Sequence, residues 1–219
     1  MLAGSLSFAS PASAGVPQAY VTVSKPYFKN WVFRSAPLSA CMLVQVSGSV
    51  TGTRRYAYYS GSGGWDPNYY VWSRVKMANP RITMTTGTIT SIGCDFTRPV
   101  AFRHASLRQD WFERGCKMRV GISAGFPWAV QATPTYSCGT YNVATRATDY
   151  NSAASRYEQY NSGSPVYYRG EKLALATDAI PFGANVRVTG YRTVGGSARS
   201  DTFSSSKAVA YLKRLRAAL

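Results

Sequence analysis

Apolar and polar residues alternate with a period of two along much of this chain. Met42, Val44 and Val46 alternate with Leu43, Gln45 and Ser47, while Tyr69, Val71, Val75 and Met77 alternate with Tyr70, Trp72, Arg74 and Lys76. Met118, Val120 and Ile122 share a face, as do Trp128 and Val130, Leu173 and Leu175, and Val186 and Val188. A side-chain period of two is that of a half-buried strand, and runs of about 5 to 10 residues are the usual strand length. Clusters of Gly, Pro, Asn and Ser separate the runs at Ser60 to Asn68, Asn79-Pro80, Asn161 to Pro165 and Gly195-Gly196. Many short strands with such punctuation predict an all-β, antiparallel protein, a β-sandwich or a jelly-roll-like arrangement. Gly195-Gly196 predicts a two-residue hairpin turn, because glycine accepts the positive φ that these turns demand.

Three segments predict helices instead. Ser106 with Gln109 forms an S-x-x-Q capping box and Gly115 stops the run, giving a short helix over 106–115. Ser152 to Tyr160 is a second, more polar candidate. At the C-terminus Ala208, Leu212, Leu215 and Leu219 follow helical spacing, with Lys213, Arg214 and Arg216 on other faces, which predicts an amphipathic helix.

Two domain readings follow. Residues 15–219 make one β domain, or a short echo between CMLVQVSGSVTG from Cys41 and CKMRVGISAG from Cys116 marks two modules, 15–105 and 106–219. Residues 1–14 carry no charge and end in Ala12-Ser13-Ala14 before Gly15, resembling the A-x-A cleavage end of a secretory signal peptide. The other reading of this segment is an uncharged N-terminal arm. No apolar run reaches the ~18 residues that a membrane-spanning helix requires, so no transmembrane segment is expected.

Composition narrows the class. With 16% charged and 45% apolar residues over 219 positions, the chain can bury a core and is not of the disordered type. Cys41, Cys94, Cys116 and Cys138 occur singly, without C-x-x-C spacing, and His104 is the sole histidine, so no zinc or other metal site is expected. Four cysteines in an exported chain predict two disulfides. The sequence allows three pairings; the sequential one, Cys41 to Cys94 and Cys116 to Cys138, is the expectation, and it closes loops of about 53 and about 22 residues, which the loop-entropy model values at about 4 and about 3.4 kcal/mol.

Catalytic chemistry finds little to stand on, and no cofactor motif is present: no P-loop, dinucleotide fingerprint, H-E-x-x-H or EF-hand loop. Any histidine-dependent hydrolase must work through His104, with Asp110 to orient it, and no G-x-S-x-G turn supplies a nucleophile. Asp110 and Glu113 sit beside Arg108 and Arg114, an arrangement that makes ion pairs rather than an acid/base pair.

The feature above background is cationic and aromatic. A net charge of +16 attracts anionic polymers, membrane surfaces or acidic partners. Arg54, Arg55, Tyr58, Trp65, Tyr70, Trp72, Arg74 and Lys76 would form a hairpin of stacking surfaces and cations around the SGSGGWDPN loop. Residues 1–100 carry 9 basic and 2 acidic side chains, and residues 101–219 carry 16 and 7. That even spread, with an uncharged start, argues against a dedicated nucleic-acid arm. The sequence thus predicts a secreted, non-catalytic binding protein for an anionic polymer, a carbohydrate or a protein surface. The alternatives are a structural or adaptor subunit of an extracellular, homo- or hetero-oligomeric assembly or particle shell, and a small secreted hydrolase or toxin.

Overall fold

A computed structural model describes residues 20–59, 64–125, 129–168, 172–175 and 180–212. Within them the chain is all β and entirely antiparallel, with no helix. The first sheet is built on β1 (Val21–Ser35), β2 (Ala40–Tyr59) and β3 (Gly64–Thr90). Along its far side β3 is paired in succession by β9 (Lys172–Leu175), β8 (Val166–Tyr167), β7 (Arg156–Tyr160) and β4 (Gly93–Asp95). The second sheet has the order β11 (Ser197–Leu212), β10 (Ile180–Val194), β5 (His104–Gly125), β6 (Ala129–Tyr150).

The two sheets enclose one buried cluster, because each presents an apolar face that must leave water. Met42, Val44 and Val46 of β2, Met77, Ile82 and Met84 of β3, Leu107 and Trp111 of β5, and Val186 and Val188 of β10 all belong to it. The cluster thus draws on residues from both sides of position 105. Contacts between the layers align the strands: the Trp31 and Phe33 rings of β1 lie 6.0 and 5.7 Å from Phe203 of β11, and Tyr27 meets Trp111 edge-on at 6.2 Å. Ser35 Oγ donates to Asp201 Oδ2 at 2.7 Å where β1 ends.

Seven of the strands run for 15 to 27 residues, longer than expected, and four are short. The reason is visible in β3. Arg74 and Asn79 have φ of 52° and 50°, and at each the register against β2 slips by one residue. These are β-bulges, which add a residue, kink the strand and reverse its in-out alternation. Asn79-Pro80, expected as a separator, is therefore absorbed into one long strand. The breaks between β9, β8 and β7 fall at the same two positions, so the bulges divide the far edge of β3 into segments, each with its own partner.

The helix expected over 106–115 is not formed. Ala105, Leu107, Gln109, Trp111 and Glu113 of β5 are all buried at a period of two, with Phe112 buried as well near the end of the run. Two of these buried positions are polar, which hid the strand pattern and left the capping-box spacing conspicuous. Gln109 is satisfied inside: Trp111 Nε1 donates to its Oε1 at 3.2 Å and its Nε2 donates to Gln159 at 2.8 Å. The second candidate helix is also strand, since 156–160 is β7 and Tyr157 and Gln159 are buried on one face. Of the C-terminal segment, residues through Leu212 continue β11, and 213–219 lie outside the described residues.

The turn at Gly195-Gly196 is as expected, with φ of 57° and 78° joining Val194 to Ser197. Cys41 and Cys94 form a disulfide that ties β2 to β4 across the end of β3. Cys116 and Cys138 stand directly opposite each other in the β5–β6 register. No described helix is long and apolar enough to cross a membrane.

Candidate functional site

The outer face of the first sheet follows from the parity that the bulges leave. Trp72, Val75 and Met77 all point inward, since the extra residue at Arg74 lets 72 and 75 share a face. Trp72 is only 1% exposed and belongs to the core. It therefore does not share an outer face with Lys76, as unbroken alternation would have it. Arg54, opposite Trp72, packs its guanidinium over the indole at 5.9 Å.

What remains outside is a line of cations, each set against a tyrosine. Arg55 stacks on Tyr20 at 5.7 Å, Lys76 on Tyr167 at 5.9 Å and Arg81 on Tyr160 at 4.4 Å. The three rings are 63%, 56% and 47% exposed, so each keeps surface free for a ligand. Exposed cation–π pairs contribute roughly 0.5–1 kcal/mol each, enough to orient a long side chain but not to consume its charge. Arg74 is exposed between the first two pairs. Arg81 and Arg156 converge on Glu158 at 3.3 and 3.2 Å, which leaves two cations sharing one carboxylate.

Of the residues expected at a binding hairpin, Arg55, Arg74 and Lys76 thus lie on or beside this face, and Arg54 and Trp72 do not. Tyr58, Trp65 and Tyr70 belong to β2 and β3, and their side chains lie outside the described residues. Tyr20, Tyr160, Tyr167, Arg81 and Arg156 were missed because they come from β3, β7, β8 and the residue just before β1. The pairing of β7 and β8 with β3, and of β1 with β2, assembles them. Nothing matches this chain among known family models, curated proteins or solved structures.

The histidine expected in a hydrolase lies elsewhere. His104 opens β5 and Asp110 lies six positions along the same extended strand, about 20 Å away at ~3.3 Å per residue. Asp110 is engaged in place: Arg108 Nε donates to its two oxygens at 3.0 and 2.9 Å, and Thr145 Oγ1 donates at 2.7 Å. Partial burial pushes its pKa up, but these bonds and the Arg108 and Arg187 charges together outweigh that and hold it below the usual carboxylate range. His104 instead tilts against Tyr191, ring centroids 6.3 Å apart. Among the described residues, no group of three or more His, Cys, Asp or Glu side chains gathers to hold a metal ion.

Two buried tyrosines border the core polar groups. Burial first, and Glu113 second, push Tyr168 up to about 12, and burial raises Tyr27 further still. Both phenols stay protonated at any physiological pH.

Proposed function

We propose that this is a secreted, non-catalytic binding protein that holds a flexible anionic polymer along the outer face of its first sheet. The observation that carries the reading is the set of three exposed tyrosines on this face, each with a cation over its ring: Tyr160 and Tyr167 beside β3, and Tyr20 at the start of β1 against Arg55 of β2. Tyrosine supplies a flat, amphipathic surface for rings in the ligand, and cations at its side meet the ligand's charges. Arg74 and Arg156 extend the cationic line, and the surplus of +16 supports long-range attraction.

Export is supported by the Cys41–Cys94 disulfide, a bond that persists in oxidising compartments. The register of Cys116 and Cys138 supports a second one, because directly opposed antiparallel residues have Cα atoms about 4.5–5.5 Å apart, within disulfide reach. A protein with both bonds weighs four hydrogens less than its reduced form.

The test is affinity against salt for a sulfated polysaccharide, a single-stranded oligonucleotide and an uncharged polysaccharide. The proposal expects binding to one of the charged polymers that weakens steeply with salt, and none to the uncharged one. Equal binding to charged and uncharged polymers, or to neither, would overturn it.

A second reading has its own support. The edge strand β1 is 15 residues long and exposes Phe28 and Val32, features that suit strand addition by a partner chain in an assembly. Light scattering of the purified protein that shows a stable oligomer would favour it.

A further inference from the structure

Among the described residues β1 is paired on one side only, by β2, and β11 of the second sheet packs beneath these two strands rather than alongside β1. Tyr27, Trp31 and Phe33 turn toward the core, where the last two meet Phe203. Pro26, Phe28, Asn30, Val32 and Arg34 are exposed on the outer face. Phe28 and Val32, 57% and 58% exposed, stand two positions to either side of Asn30. An edge strand this long, with apolar side chains at its rim, is a template for a further strand.

Pro26 shows which backbone groups that template offers. It lies opposite Ser49 within the β1–β2 ladder. Proline has no N–H to give, and an edge strand accommodates it where its nitrogen faces away from the neighbouring strand. By the alternation of the backbone, Phe28, Asn30, Val32 and Arg34 then turn their N–H and C=O groups to the same open edge.

We propose that β1 pairs antiparallel with β1 of a second copy of this chain, about a two-fold axis at Asn30. The inference rests on the assembly reading above and supplies its partner. The register follows from the side chains. With Asn30 opposite the partner's Asn30, Phe28 meets the partner's Val32 and Val32 the partner's Phe28, two apolar cross-strand pairs. Lys25 meets the partner's Ser35, Lys29 the partner's Trp31 and Arg34 the partner's Pro26, so no cation of β1 opposes another. Neighbouring registers fail: centred on Lys29 they set Lys29 against itself, centred on Trp31 they set Phe28 against the partner's Arg34, and centred on Phe28 they leave Val32 against the partner's Ser24. Centring on Asn30 alone sets both exposed apolar side chains against an apolar residue of β1. An isologous contact of this kind closes at two copies. Opposed residues share a face, so the outer faces of both first sheets lie on the same side of the dimer.

The experiment follows the full protein by sedimentation equilibrium in about 0.5 M salt, which screens the repulsion between two chains of +16 each. The expected result is a monomer–dimer equilibrium that Val32→Lys weakens about tenfold, because the two-fold axis repeats the change in two cross-strand pairs. Cross-linking then reads the register. Asn30→Cys is expected to form a disulfide-linked dimer on mild oxidation, since directly opposed residues have Cα atoms about 4.5–5.5 Å apart. Phe28→Cys is expected not to, since the two copies of position 28 are four residues apart along the paired strands, about 13 Å. Melting of each variant at the wild-type temperature shows that the fold is kept. A protein that stays monomeric would overturn the inference and count against the assembly reading as well. An oligomer that Val32→Lys leaves unchanged, or in which Phe28→Cys cross-links as readily as Asn30→Cys, would overturn the self-pairing of β1 while the assembly reading stands.

Discussion

On the outer face of the first sheet Arg81 lies over the Tyr160 ring and shares Glu158 with Arg156; on the outer face of the second, Arg108 grips both oxygens of Asp110. Arg187, opposite Arg108 in the register, also acts on that carboxylate. Threonines fill in the next row, where the Thr189 and Thr202 hydroxyls are 2.9 Å apart. Both faces are rich in arginine, and they differ in what each arginine has beside it. A cation stacked on an aromatic ring keeps its charge available, whereas one held in a two-point carboxylate pair has spent it locally. Net charge alone therefore does not locate a binding face.

The sheets differ in construction as well. The first has a far edge assembled from four short strands on a bulged β3 and stapled by a disulfide; the second is a run of long hairpins with one regular central strand. Breaking the staple should give the largest effect. Cys41→Ser with Cys94→Ser is expected to cost about 4 kcal/mol, lowering the melting temperature by roughly 8–16 °C for a chain of this size, read by calorimetry. Added volume is the sensitive change in the second sheet. A Cβ at Gly190 would sit 2.3 Å from the Phe102 ring, so Gly190→Ala should destabilise by about 1–3 kcal/mol in denaturant unfolding.

Smaller effects separate the sheets in the opposite direction. Arg74 holds a left-handed conformation at its bulge, which glycine adopts without strain. Arg74→Gly should stabilise the protein by up to about 1 kcal/mol, while the same change at Arg108, in regular strand, should destabilise it. The smallest effect concerns pH. Asp110 has its folded pKa depressed below the unfolded value, so its contribution is present above the unfolded pKa and is lost as pH falls through the folded one. Asp110→Asn should therefore lower stability modestly at neutral pH, leave it little changed at the acid end where Asp110 is protonated, and so flatten the acid limb of the curve below about pH 4.

Much of this architecture could be read from residue order. The period-two runs at Met42 to Val46 and at Val186 and Val188 are core strands, the glycine turn stands where its residues put it, and the first disulfide is the one expected among three possible pairings. The misreadings have physical causes. In β5 the polar Gln109 and Glu113 occupy buried positions, where Gln159 of β7 meets Gln109 and Tyr168, just after β8, lies near Glu113. In β3 a single inserted residue at Arg74 reverses the faces of the residues beyond it, until a second insertion at Asn79 reverses them again. The tyrosine line could not be read at all, since it joins Tyr20, Tyr160 and Tyr167, residues up to 147 positions apart. Tyrosines preceding or following arginines in a strand give no sign of which strand will lie beside them.

The comparison between the two faces rests on whether the stacked cations of the first sheet do the binding. Its most direct test is the salt dependence of affinity, for whichever charged polymer binds, measured on wild type, on Lys76→Gln with Arg81→Gln, and on Arg108→Gln with Arg187→Gln. Each pair removes two charges. The account predicts that the first pair flattens the slope of log affinity against log salt by roughly 1.5–2 and weakens binding at least tenfold, about 1.4 kcal/mol, while the second changes both far less. Equal losses from the two pairs would contradict it, showing that the polymer senses total charge and not the tyrosine-backed face.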